Sequence, residues 1–296
     1  MSAVPADSVA VILLRPAGAL DYEVLLVERH AESRSFAGAH VFPGGRIDAD
    51  DAGAAFHAAC TDLSAAAAAA RLGEGTPPMS PLAFWVAAIR ELFEETGILL
   101  ASIDGDPVRF DRGDLPARFR AHRAALLSGT STFAEVVRRE RLTLAAQELD
   151  FFSRWITPVN APRRYDARFF VARLPAGQSA VADGRETTSA SWLTPAAALT
   201  RARAGTLMLT PPTMRTLEDL DALGSCDAIV GAARQRRFAT ILPKVVTVTG
   251  QATILYPGDA LYERAVAGAA LDDASGPRNR VVMVEGAWRS VRSPDA

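Results

Sequence analysis

Residues 82–98 read Leu82-Ala83-Phe84-Trp85-Val86-Ala87-Ala88-Ile89-Arg90-Glu91-Leu92-Phe93-Glu94-Glu95-Thr96-Gly97-Ile98. At about 100° per residue, Leu82, Trp85, Val86, Ile89, Leu92 and Phe93 gather on one broad face. Glu91, Glu94 and Glu95 fall within about 100° of one another on the opposite side. Gly97 stands where a left-handed C-cap would end the helix. The spacing predicts a helix over 82–96 with one core-facing side and one side bearing three carboxylates. Carboxylates at i, i+3 and i+4 repel one another when merely solvated. A divalent cation removes that repulsion, and hard oxygen ligands of this type suit Mg²⁺ or Mn²⁺. A solvated acidic face, partly neutralised by Arg90, is the plainer reading of the same letters.

The flanks favour the chemical reading. Val9–Leu14 and Tyr22–Val27 are short apolar runs joined by Pro16-Ala17-Gly18, and read as two strands. Phe42-Pro43-Gly44-Gly45 reads as an extended segment ending in glycines, which let a backbone approach a bound group closely. A strand, a glycine turn, a carboxylate helix and a terminal glycine make a loop-helix-loop suited to holding metal against a phosphate chain.

These pieces together resemble the Nudix hydrolases. The family signature is a glycine, five residues, an acid, seven residues, then Arg-Glu-apolar-x-Glu-Glu-x-Gly-apolar. Gly45 fits the first glycine, and Arg90, Glu91, Leu92, Glu94, Glu95, Gly97 and Ile98 fit the second half without a gap. Asp51 stands at the acid position in place of glutamate, with Asp48 as its rival. Between Asp51 and Arg90 lie residues 52–89, so the box is split by a long insertion. Leu25-Leu26, Arg29, Arg34, Gly38 and Phe42-Pro43-Gly44-Gly45 also have the spacing of the signature upstream of the box in coenzyme A diphosphatases. Val27 replaces its usual threonine and His30 its usual small residue. The split box, Trp155-Ile156-Thr157-Pro158, Arg163-Arg164-Tyr165-Asp166 leading to Phe169-Phe170, and Leu255-Tyr256-Pro257-Gly258-Asp259 are similar to the acyl-coenzyme A diphosphatase group.

The resemblance implies an α/β/α sandwich around a mixed sheet, and a metal-dependent hydrolase of a diphosphate-linked small molecule. Coenzyme A or acyl-coenzyme A is the expected substrate, with ADP-ribose, NADH or nucleoside triphosphates as alternatives. A non-catalytic nucleotide sensor is the contrasting class, disfavoured because all three helix glutamates are present. Glu94 and Glu95 are the expected metal ligands, with Glu91 in support, and Mg²⁺ or Mn²⁺ the expected ion. The proton acceptor is one of these glutamates or Glu186, which stands six residues before Trp192; a loop charge beside Arg185 is the other reading of Glu186. Arg90 is expected to orient a neighbouring glutamate by a salt bridge. Arg29 and Arg34 are candidates for phosphate oxygens, which a guanidinium matches bidentately. Gly44 and Gly45 are candidates for presenting backbone N–H groups to the diphosphate.

Composition excludes several classes. The 296 residues carry 32 basic and 34 acidic side chains, a net charge of −2. Nucleic-acid binders usually show a strong basic excess instead. The arginine-rich pieces at 136–141 and 234–237 read as solvated helix faces. No apolar run approaches the roughly 18 residues of a membrane span. Neither a secretory signal nor a peroxisomal terminus is visible, and Cys60 and Cys226 lack the spacing of a disulfide framework or zinc knuckle. A cytoplasmic globular protein with a small-molecule nucleotide substrate is expected, with neither membrane nor nucleic acid as partner.

Along the chain, Ala65–Ala70 predicts a helix and residues 73–78 a loop. Residues 101–150 read as a loop with helices, the clearest at Phe133–Glu140. Strands are expected at Arg154–Pro158, Arg168–Leu174 and Ser189–Leu193, then helix at Pro195–Ala204 and over 211–240. Val245–Leu255 and Arg280–Glu285 are β-rich. The expected organisation is a Nudix domain over 5–204, with insertions near 52–81 and 101–150, and a C-terminal extension over 205–296 on the same body. Whether that extension shapes an acyl pocket or a homodimer interface is left open by the sequence.

Overall fold

The computed structural model describes residues 3–18, 21–33, 36–73, 80–235 and 240–293. Strand β1 (Ala6–Ala17) is buried from both sides. Val9, Val11 and Leu13 enter one core, while Ala10, Ile12 and Leu14 enter a second. Side chains alternate across a strand, so a double-faced apolar run belongs at the centre of a covered sheet. β2 (Asp21–Arg29) runs antiparallel to the end of β1, and β3 (His40–Val41) pairs with the far end of β2. The first half of β1 bonds elsewhere: Val9 and Val11 donate their N–H groups to Gly45 O and Pro43 O at 2.9 and 2.8 Å. The glycine segment is thereby pinned along β1.

The insertion in the box starts on a 3-10 turn at Ala49–Ala52 and forms α1 (Ala54–Ala59) and α2 (Ala65–Leu72). Ser64 caps α2 by accepting the Ala67 N–H. Of the expected loop at 73–78, residues 74–78 lie outside the described residues. Helix α3 (Leu82–Thr96) has the bounds the spacing predicts. Its burial corrects the two-sided picture, because every residue except Glu91 and Glu94 is buried. The reason is the stretch after it, which wraps the helix. β4 (Ala101–Ile103), β5 (Asp106–Pro107), α4 (Leu115–Leu127), α5 (Phe133–Glu140) and β6 (Leu142–Leu144) follow. Phe119 of α4 meets Phe93 edge to face, and Phe133 of α5 stacks on Phe56 of α1. The small sheet β5-β4-β6 escapes sequence reading because strands of two or three residues carry no period.

β7 (Asp150–Ile156) and β8 (Tyr165–Arg173) return to the main sheet, and β8 runs parallel to β1 from Ala6↔Tyr165 to Leu14↔Arg173. β9 (Thr187–Leu193) pairs antiparallel with β2. α6 (Pro195–Arg203), α7 (Pro211–Leu223), α8 (Cys226–Arg234) and β10 (Thr240–Ile241) follow. The stretch expected to be helical over 211–240 is thus divided at Gly224, and its last described part is a strand. The mixed sheet has the order β10-β7-β8-β1-β2-β3, with β9 also on β2. α3 covers one face and α6 to α8 the other, which is the expected α/β/α sandwich.

The C-terminal part forms a second sheet of order β13-β11-β12-β14-β15, from β11 (Lys244–Val248), β12 (Gln251–Leu255), β13 (Ala270–Leu271), β14 (Asn279–Val284) and β15 (Ala287–Arg292). Ile254, Tyr256 and Val281 join the same core as Ile12, Leu14 and Leu217.

Candidate active site

The three glutamates occupy the last two turns of α3. Carbonyls in the last turn of a helix have no intrahelical donor, and here each finds one. Gly97, at φ +74°, donates its N–H to Phe93 O at 2.8 Å. Arg123 Nε of α4 donates to Glu94 O at 2.9 Å. Thr187 Oγ1 donates to Glu95 O at 3.4 Å, and the Val181 N–H to Thr96 O at 2.8 Å. The carboxylate end of α3 is therefore fastened to α4 and to the loop ahead of β9.

Arg90 is the buried cation of the site. Its Nε and Nη2 donate to Asp51 Oδ1 and Oδ2 at 2.9 and 2.8 Å. Its Nη1 donates to Glu91 Oε1 at 2.8 Å and Glu94 Oε2 at 3.3 Å, and Nη2 also reaches Arg46 O at 2.9 Å. Burial pulls this guanidinium down, yet the Asp51 bonds and the Glu91 charge outweigh it and the net shift is upward. Of the two acids left open by the sequence, Asp51 has a side chain only 2% exposed and meets Arg90 directly, whereas Asp48 is 69% exposed and 3.7 Å away.

Glu95 is buried, and its Oε2 accepts the Gly44 N–H at 2.9 Å. The Gly44 N–H, a candidate for the diphosphate, is engaged here by Glu95. Gly44 adopts φ +154°, and a Cβ there would stand 2.2 Å from Val9 O. A Cβ on Gly45 would stand 2.5 Å from the Glu91 carboxylate. The paired glycines thus let the chain pass between β1 and two of the glutamates.

Burial raises all three carboxylates. It pushes Glu91 up to about 7 against the pull of Arg90. It raises Glu94 against the same cation. It lifts Glu95 well above its ordinary range, with the Glu91 charge adding and the Gly44 N–H opposing. Desolvated carboxyl groups on one helix end, offering only oxygen, fit a hard divalent cation that would keep them ionised. Among the described residues no three carboxylate, imidazole or thiol groups converge on one point. Arg90 holds Glu91 and Glu94, while Gly44 holds Glu95.

Glu186 is exposed and directly precedes β9. Its carbonyl accepts the His30 N–H at 2.9 Å, and its charge raises both Glu91 and Glu95. Arg29 ends β2 opposite Thr187, on the same edge. Arg34 lies outside the described residues. Sequence reading missed Arg123, Asp183 and Thr187. Asp183 Oδ1 accepts the N–H groups of Arg185, Glu186 and Thr187 at 2.7, 3.0 and 3.0 Å, which builds the turn that carries Glu186. Asp183-Gly184 ahead of a strand is a turn signal; nothing local connects it to the box. Arg123 has no local signal at all among so many arginines.

The family described as the NUDT19 Nudix domain matches residues 4–220. The chain is 30% identical to the acyl-coenzyme A diphosphatase NUDT19 of Gallus gallus, over 83% of this chain and 74% of that protein. It is 25% identical to the acyl-coenzyme A diphosphatase NUDT19 of Homo sapiens, over 84% of this chain and 74% of that protein. Among solved structures, a NUDIX hydrolase from Alicyclobacillus acidocaldarius matches with a TM-score of 0.61 at 25% identity, covering 77% of this chain and 96% of that one. Nudix hydrolases generally use divalent metals. No described helix is long and apolar enough to cross a membrane. With the box residues brought together across the insertion and the family match spanning both halves of the box, this chain belongs to the Nudix hydrolases, in the family of the NUDT19 Nudix domain.

Proposed function

We propose that this protein hydrolyses the diphosphate bond of coenzyme A or acyl-coenzyme A, giving adenosine 3′,5′-bisphosphate and (acyl) 4′-phosphopantetheine. The observation that carries the reading is the reassembled box. Asp51 closes on Arg90 across the insertion, and Arg90 in turn holds Glu91 and Glu94 beside the Gly44-Gly45 segment. The substrate class rests on the relatives named acyl-coenzyme A diphosphatase.

Glu91, Glu94 and Glu95 would hold Mg²⁺ or Mn²⁺, which neutralises phosphoryl oxygens and lowers the pKa of bound water. In the reaction, a water oxygen forms a new bond to one phosphorus and the bridging P–O bond breaks. The leaving phosphate carries away the electron pair, and the water proton passes to a carboxylate. Glu186 is the carboxylate we assign to that proton. Its side chain has no hydrogen-bond partner among the described residues, whereas Arg90 or Gly44 engages each helix glutamate. Arg90 orients Glu91 and Glu94, and Asp51 orients Arg90. Arg29, at the same sheet edge, is assigned to substrate phosphate, and Arg34 remains a second candidate.

The test is a substrate panel with Mg²⁺ or Mn²⁺ and product masses. It compares coenzyme A, short and long acyl-coenzyme A, NADH, ADP-ribose and nucleoside triphosphates. Turnover of coenzyme A species to the two named products is expected. Robust turnover of another member alone would refute the substrate assignment, and binding without any turnover would make the protein a sensor.

A further inference from the structure

The stretch over 101–150 does more than cover α3. One side chain of α4, Arg123, reaches the carboxylate end of the box helix and donates from Nε to Glu94 O at 2.9 Å. That carbonyl lies in the turn that the helix itself cannot satisfy, and a cation suits the negative end of the helix dipole. Gly97 leaves room for the approach, since a Cβ there would stand 3.3 Å from Arg123 Nη1, a tight contact to which the guanidinium would have to yield. The Arg123 guanidinium has its pKa lowered by burial, and the charges of the turn residue Asp183 and of Glu95 act on it in the opposite direction. It forms no ion pair with either, and its Nη2 and Asp183 Oδ2 are both buried without a hydrogen-bond partner. A guanidinium held in this way is fixed by its surroundings and not by a contact carboxylate.

The same helix is gripped from the other side. Arg185, in the turn that carries Glu186, donates from Nη1 to Leu127 O at the last residue of α4. Val181 and Thr187, flanking that turn, donate to Thr96 O and Glu95 O. α4 therefore contacts both parts of the site, the backbone of the last turn of α3 through Arg123 and the Glu186 turn through Arg185.

We propose that Arg123 is a positioning residue, and that α4 is a strut which fixes Glu94 and Glu95 relative to the turn carrying Glu186. The inference rests on the metal-dependent hydrolase reading above, and concerns which residues outside the box set its geometry. Arg123 acts through the α3 terminus and not by contact with substrate. Displacements of about 1 Å at a reacting centre lower rates by up to about 100-fold, so loss of the strut should appear in kcat and in metal affinity more than in KM.

The experiment titrates Mn²⁺ into the full chain by electron paramagnetic resonance and measures steady-state turnover of the best panel substrate. Wild type, Arg123→Ala, Arg123→Lys, Arg185→Ala and Thr132→Ala are compared. Thr132 caps α5 by exchanging hydrogen bonds with Glu135, so its variant reports plain destabilisation of the same stretch. Arg123→Ala should weaken Mn²⁺ binding several-fold and lower kcat about 10- to 100-fold, with KM changed less than about threefold. Arg123→Lys should recover part of both losses. Arg185→Ala should lower kcat in the same direction with less effect on Mn²⁺ binding. Thr132→Ala should lower Tm and leave both readouts unchanged. Wild-type Mn²⁺ affinity and kcat in both Arg123→Ala and Arg185→Ala would overturn the proposal, as would equal losses in Thr132→Ala. If Arg123→Ala does not fold, Arg123→Lys and Arg185→Ala decide on the same terms. Failure of wild type to bind Mn²⁺ would overturn the metal reading, and the strut with it. Mn²⁺ binding by wild type without turnover would refute the enzyme reading, and the variants' affinities would still decide the strut.

Discussion

Asp51 and Arg90, 39 positions apart, meet through two hydrogen bonds of 2.9 and 2.8 Å with both side chains buried. Asp51→Ala strips the buried Arg90 of two charge-assisted hydrogen bonds, while Glu91 and Glu94 still face its guanidinium. The variant should cost about 1.5–3 kcal/mol of folding stability in urea denaturation. It should also lower metal-dependent turnover, because Arg90 then loses the anchor that aims it at Glu91 and Glu94. Asp48→Ala should cost less than about 1 kcal/mol, as expected of a mostly exposed acid at a long ion-pair distance. Equal costs for the two variants would reassign the acid of the split box.

Glu91 makes the stability of the metal-free protein depend on pH. Burial raises its carboxyl to about 7 from an ordinary 4.5. Between those values the folded protein binds more protons than the unfolded chain, so stability falls as pH rises. The contribution is fully present below the ordinary value and is lost as pH rises through 7. At about 1.36 kcal/mol per pKa unit, Glu91 accounts for no more than about 3.5 kcal/mol. In EDTA, urea midpoints should fall across this window, and Glu91→Gln should flatten the fall. Mn²⁺ should suppress it in wild type by holding the carboxylates ionised. A slope unchanged in Glu91→Gln would show that Glu91 is not its source.

The two glycines should fail differently. An added Cβ at Gly44 meets the backbone of Val9, which cannot move without parting the segment from β1. Gly44→Ala should therefore destabilise the fold by more than about 2 kcal/mol. At Gly45 the clash is with the end of the Glu91 side chain, which can swing aside. Gly45→Ala should keep a near-wild-type thermal melt and lose metal-dependent turnover. A severe loss of stability in Gly45→Ala, with turnover intact per folded molecule, would refute this division.

The parts of this fold legible from sequence are those set by local period. β1 alternates into two cores, and α3 ends at Gly97 as its spacing requires. The buried outer face of α3 was not legible, because the residues that cover it come from a stretch with weak periodicity of its own. In the site, the glutamates and glycines could be named from the box. The choice between Asp51 and Asp48 could not be made, because the insertion removes the fixed spacing that would have decided it. Arg123 and Asp183 were invisible for a related reason. Each acts through a contact made by tertiary packing, and neither stands at a spacing that a short motif records. β15 was missed because Arg289 and Arg292 break up its apolar residues, Trp288 and Val291.

Tyr256 joins the C-terminal sheet to the body. Tyr256 follows β12 directly, is almost wholly buried, and meets Trp155 of β7 edge to face at 5.8 Å. It therefore belongs to the core of the main sheet as much as to its own. Its hydroxyl is buried without a hydrogen-bond partner, and burial raises its pKa far above the ordinary phenol range. A buried polar atom left unpaired costs free energy that removing it should return. Tyr256→Phe should be as stable as wild type or more stable by about 1 kcal/mol. Tyr256→Ala should lose about 3–5 kcal/mol through the cavity it leaves. Because one core spans both sheets, tryptophan fluorescence and far-ultraviolet circular dichroism should report a single coincident urea transition in all three proteins. Two separated transitions in wild type would show that the C-terminal sheet folds as a body of its own.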